Sequence, residues 1–110
     1  MSELTVTSAY LYSTLGLDPD LGELVDIFVD EMPNRVAKIQ EAWGSQDLKA
    51  LGTAVHQLRG AAGSYGFDDL TPVLTRLELN VRSSSPEAEI LRSIDELTEL
   101  CSRVRAGAPE

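Results

Sequence analysis

Cysteine is nearly missing from this sequence. Cys101 stands alone among 110 residues, so one chain can build neither a disulfide framework nor a thiolate zinc site, and the composition suits a reducing compartment. Aromatic residues make up 5%, which is lean for a β-sandwich core. Basic residues are also scarce: nine Lys and Arg stand against eighteen Asp and Glu, a formal net charge of −9 at pH 7. Such a balance repels a phosphate backbone, and nucleic acid is not an expected partner. No apolar run approaches the roughly 18 residues needed to span a bilayer, and Met1-Ser2-Glu3 lacks the basic and apolar regions of a signal peptide. The expectation is a cytoplasmic, soluble chain with no membrane contact. Histidine occurs once, at His56.

Hydrophobic residues reach 43% and charged residues 25%, enough for a core in a single domain of this length. Residues 1–110 are read as that domain, with 1–17 poorly defined and 106–110 a frayed tail. β-Branched residues nowhere alternate with polar ones over a sustained run, whereas apolar spacings of three and four recur from Leu21 onward, so the chain is expected to be all-α. Asp18-Pro19-Asp20 suits the start of a first helix with Leu21, Leu24, Val25, Phe28 and Met32 on its apolar face. Pro33 predicts a break, and a second helix follows to Trp43 with Val36 and Ile39 inward. Asp47 caps a third helix, whose Leu48, Leu51, Val55, Leu58, Ala62 and Tyr65 form one stripe ending at Gly66-Phe67-Asp68. Leu70, Val73, Leu74, Leu77 and Val81 mark a fourth helix with Pro72 in its first turn; Ile90, Ile94, Leu97, Cys101 and Val104 mark a fifth, from about Pro86 to Arg105. Short connections favour an antiparallel up-and-down four-helix bundle with one or two short N-terminal helices added, one of them around Ala9, Tyr10, Leu11 and Leu15.

Glycine inside a helix costs about 1 kcal/mol relative to alanine, yet the helix capped by Asp47 holds Gly52, Gly60 and Gly63 without losing its apolar period. Positions at i−4, i+3, i+4 and i+7 share a helix face, which puts Gly52, Arg59, Gly60 and Gly63 beside His56. That face is nearly bare apart from an imidazole and a guanidinium. Another protein's backbone could approach the histidine closely, and Arg59 would supply a positive charge one turn away. The pattern suits an anion on, or arriving at, an imidazole. A lone histidine beside an apolar stripe is otherwise usually a boundary residue, and helical glycines often serve close packing. One histidine with scattered carboxylates matches no zinc pattern, so no metal site is expected. Helical Gly63-Ser64-Tyr65 offers neither the strained elbow nor the oxyanion hole of a Ser-His-Asp hydrolase.

The run from His56 to Phe67, His-Gln-Leu-Arg-Gly-Ala-Ala-Gly-Ser-Tyr-Gly-Phe, resembles the signature of histidine-containing phosphotransfer domains. There a histidine is followed by any residue, an aliphatic, a Lys or Arg, a Gly, and small residues leading to a late Gly. The flanking pattern extends the likeness from the Leu24 helix to about Leu100. It implies a helical bundle whose histidine, here His56, takes a phosphoryl group from the aspartyl phosphate of one receiver domain and passes it to another. It also implies no cofactor on this chain, the magnesium ion residing on the receiver. Neutral imidazole must then carry its proton on Nδ1 and present the Nε2 lone pair. If the third and fourth helices fold back about residue 67, positions summing to about 134 face each other, and Glu78 meets His56. Thr75 and Arg82 are the choices one turn away. Arg59, Gly60 and Gly63 are expected to support the site, with Gly52, Met32 and Arg35 on the surface that a partner covers.

Gln57 and the glycine run fit poorly with the dimerisation domain of a sensor kinase, whose histidine is usually followed by an acidic residue and soon by a proline. No ATP-binding glycine boxes follow, so autophosphorylation is not expected. An acyl carrier protein would need an Asp-Ser-Leu-like attachment serine, which Ser45-Gln46-Asp47 and Ser93-Ile94-Asp95 do not provide. The other open reading is an acidic helical adaptor that binds receivers without being phosphorylated. The expected partners are receiver domains of response regulators or hybrid histidine kinases, met by a monomer. Met1 and the acidic tail favour a stand-alone protein.

Overall fold

Helix formation begins where Asp18 turns the chain: its Oδ1 accepts the backbone N–H groups of Asp20 and Leu21, at 2.7 and 2.9 Å. The computed structural model describes residues 10–107. Within them α1 spans Gly22–Gly44, α2 Leu48–Ser64, α3 Thr71–Arg82 and α4 Glu87–Cys101, flanked by two-residue strands β1 (Leu11–Tyr12) and β2 (Val104–Arg105). Asp47 caps α2 by accepting from Ala50 N–H at 3.0 Å. A single 3-10 turn, Asp68–Leu70, leads into α3, where Pro72 occupies the first turn. Each helix packs on the next, and α4 closes back on α1. No helix of the described residues is long and apolar enough to cross a membrane.

The two helices expected on either side of Pro33 are one. Val25, Phe28, Met32, Ile39 and Ala42 all lie in the core and repeat in steps of three, four and seven straight through the proline. Pro33 itself faces outward. An interior proline costs about 3 kcal/mol or more, and burial of this continuous stripe, at roughly 1.5–3 kcal/mol per large side chain, outweighs it. Phe28 sits at the centre, its ring 5.4 Å from that of Tyr65 and 5.5 Å from that of Phe67. Four α-helices result among the described residues. Leu24 and Leu48, expected on apolar faces, are 42% and 41% exposed.

No added N-terminal helix occurs among the described residues, and Ala9 lies outside them. Leu11 and Tyr12 instead pair in parallel with Val104 and Arg105, the fifth predicted helix having ended at Cys101. Part of the segment read as poorly defined is tied to the end of α2. Ser13, buried, donates its hydroxyl to the Tyr65 carbonyl, and Thr14 N–H donates to the Gly66 carbonyl at 3.0 Å. Gly66 has a φ of +80°, and a methyl group there would stand 2.6 Å from Ser13 Oγ. Only glycine combines that left-handed turn with so close an approach. The lone thiol, Cys101, is buried, and burial pushes it up to about 12, which keeps it protonated and unreactive.

Candidate functional site

Leu51, Val55, Leu58 and Ala62 form the buried stripe of α2. His56 follows Val55, so the turn of about 100° per residue swings its side chain off that stripe. The imidazole is 68% exposed. Its surroundings on α2 are open: a methyl group at Gly60 or Gly63 would meet no atom within 4 Å, and one at Gly52 would touch only Val81 Cγ1, at 3.7 Å. Gly60 and Gly63 therefore do not serve packing inside the bundle, whereas half-buried Gly52 lies against α3.

From α3 comes a carboxylate that would ordinarily be out of place in a core. Glu78 follows buried Leu77, and its side chain is only 7% exposed. Three donors meet it. His56 Nδ1 lies 2.8 Å from Oε2, Arg59 Nη1 donates to Oε1 at 2.8 Å, and Arg82 Nη2 donates to Oε2 at 3.0 Å. Burial alone would raise this carboxyl. The hydrogen bond from His56 and the positive charges of Arg59 and Arg82 outweigh that and hold it below its ordinary value of 4.5. An ionised carboxylate only accepts hydrogen bonds, so the shared proton belongs to Nδ1, and the neutral form of the ring has its free lone pair on Nε2.

A family model described as Hpt domain matches residues 23–107. The chain belongs to the Hpt domain family. A chemotaxis protein CheA of Rhizobium meliloti (strain 1021) is 30% identical over 105 residues, an alignment covering 80% of this chain and 14% of that protein. The chain thus spans a small part of its curated relative. No solved structure matches it. As an Hpt domain the chain belongs to a family of phosphocarrier modules of two-component signalling.

Within this Hpt domain the structure brings His56, Arg59 and Glu78 together and arrays Gly52, Gly60 and Gly63 along the same helix. Arg59 does not stand free beside the ring as expected, because the i+3 position carries its guanidinium onto the carboxylate. Met32 is a correction: at 3% exposure it belongs to the core and cannot face a partner. Its place on the stripe of Val25 and Ile39 already implied as much. Arg35 does reach the surface. It lies on the heptad step between Phe28 and Ala42, its guanidinium 5.4 Å from the Phe28 ring centre, and it lines a cleft of about 590 Å³ between α1 and α2 with Glu31, Asn34, Lys38, Ala54 and Gln57. Arg82 entered the sequence reading only as an alternative register for Glu78. Its i+4 spacing from that residue was the signal that both could act together. Among the described residues no group of three or more His, Cys, Asp and Glu is disposed to hold a metal ion.

Proposed function

We propose that this Hpt domain relays a phosphoryl group between aspartyl-phosphate receiver domains through Nε2 of His56. The observation that carries the reading is the pairing of a 68% exposed imidazole, through Nδ1, with a buried carboxylate. The Nε2 lone pair attacks phosphorus in line; the bond from phosphorus to the aspartyl oxygen breaks, and its electron pair stays on the receiver's carboxylate. The ring, still holding its Nδ1 proton, becomes cationic, and Glu78 accepts the hydrogen bond that strengthens as it does so. Transfer onward reverses these steps. Arg59 acts as a positioning residue by filling the other oxygen of Glu78. Magnesium and the phosphorylatable aspartate belong to the receiver, and the cleft at Arg35 extends the surface it covers. Contact between residues 56 and 78, equidistant in sequence from Phe67, supports an antiparallel run of α2 and α3.

Incubation with a radiolabelled phospho-receiver tests the reading. The label should move to this chain, map to His56, resist alkali and be lost in mild acid. Acid-stable label on a hydroxyl residue, or no label at all, would sink it. Gly60 should govern access: Gly60→Ala should stabilise the fold by several tenths to about 1 kcal/mol in thermal melts, since the added methyl group meets open space. Gly60→Leu should stay folded yet accept phosphoryl groups from the receiver at least several-fold more slowly. An unchanged rate would remove the glycine from the docking face.

A further inference from the structure

The three donors on Glu78 are not equivalent. Arg59 alone fills Oε1, whereas Oε2 is shared by His56 and Arg82. Withdrawing Arg59 would leave a buried carboxylate oxygen unpaired, but withdrawing Arg82 leaves Oε2 still bonded to the ring. Exposure follows the same division: the Arg59 side chain is 41% exposed and that of Arg82 69%. Arg82 is also closer in connectivity, since one oxygen and two hydrogen bonds, 2.8 and 3.0 Å, separate it from Nδ1. A second observation is independent of these bonds. His56 and Arg82 line one open hollow of about 580 Å³ together with Lys49, Gly52, Thr53 and Val81, and Arg59 takes no part in its lining.

We infer that Arg82 is the cation that meets the phosphoryl group on His56, turning from Glu78 Oε2 to the phosphoryl oxygens while Arg59 stays behind as the anchor of Glu78. The inference rests on His56 being the acceptor. Phosphorylation places up to about two negative charges on the solvent side of the ring. The exposed guanidinium that can leave without orphaning a buried atom is the one free to answer them. Glu78, relieved of Arg82, keeps the Nδ1–H of the now cationic ring and the Arg59 guanidinium as partners. No bond is made or broken beyond these hydrogen bonds.

The full chain, phosphorylated with phosphoramidate so that no partner surface enters, provides the test. Phospho-His56 lifetimes followed by phosphorus NMR should be about two- to five-fold shorter in Arg82→Ala than in the parent. Arg82→Lys should restore part of the loss, and the difference should shrink between low salt and 1 M salt. Melting of the unphosphorylated Arg82→Ala protein should stay within about 2 °C of the parent. Arg59→Ala should instead lower the melting temperature by about 4–8 °C. Equal lifetimes for parent and Arg82→Ala would overturn the assignment, as would an Arg59→Ala protein of parental stability that loses phosphate as fast as Arg82→Ala. A parent that takes no phosphoryl group at His56 would overturn both the relay reading and this one, whereas normal labelling with equal lifetimes overturns this one alone.

Discussion

His56→Gln should abolish phosphoryl acceptance while leaving the fold intact. The histidine is the only one in the chain, and the charged groups gathered beside it do not substitute for it: Arg59 and Arg82 are cationic, and Glu78 is buried with both oxygens occupied. Glutamine keeps a donor that can reach toward Glu78, and the side chain it replaces is 68% exposed, so the change in stability should stay within about 0.5 kcal/mol. Transfer from a labelled receiver should fall to background, with circular dichroism and melting unchanged. Retained transfer would place the acceptor elsewhere. Because fold and function separate at this residue, the variant can still be asked whether it binds receivers. Binding without labelling would show that docking does not depend on the reacting nitrogen.

What could be read from the sequence followed the strength of the periodic signal. Gly52, Gly60 and Gly63 violated helix propensity without disturbing the stripe of Leu51, Val55, Leu58 and Ala62, and the structure leaves open space beside Gly60 and Gly63. A local rule broken without loss of the global pattern is a mark of a site, and here it pointed to the helix that carries the exposed His56. Pro33 misled because a strong local breaker was weighed above a stripe running through it unbroken, from Val25 to Ile39. The same stripe placed Met32 in the core, so the partner surface and the apolar face were assigned one residue in common. The pairing of Leu11 and Tyr12 with Val104 and Arg105 spans almost the whole chain and has only two residues a side. No alternation could announce it, and the holding contacts are backbone groups on Tyr65 and Gly66. Arg82 was hidden for another reason: a charge at i+4 on an exposed helix usually means a solvated pair, and only the burial of Glu78 turns it into part of a network.

That buried carboxylate also sets the other large effect. Glu78→Ala should destabilise the fold by about 1–3 kcal/mol and slow phosphoryl acceptance about tenfold, whereas Glu78→Gln should be milder on both counts because its amide oxygen can still accept from Nδ1. Alanine removes the acceptor that keeps the proton on Nδ1, so the tautomer presenting an Nε2 lone pair loses its advantage. The stability loss stays moderate because Arg59 and Arg82 are exposed enough to turn to water. Nitrogen NMR of the imidazole separates the two contributions, since a purely structural role would leave the tautomer ratio as in the parent. The pH dependence has a definite sign. Burial pushes the Glu78 carboxyl up, the His56 hydrogen bond and the two arginines more than reverse this, and the folded value lies below the unfolded one near 4.5. The ionised group therefore contributes its full stabilisation above 4.5, and the contribution is lost as pH falls through the lower folded value. Glu78→Gln has no carboxyl there to titrate, so the stability advantage of the parent over this variant should shrink as pH falls below 4.5. An advantage that grew as pH falls through 4.5 would mean that Glu78 is held protonated in the fold, and with it the assignment of the Nδ1 proton would fall.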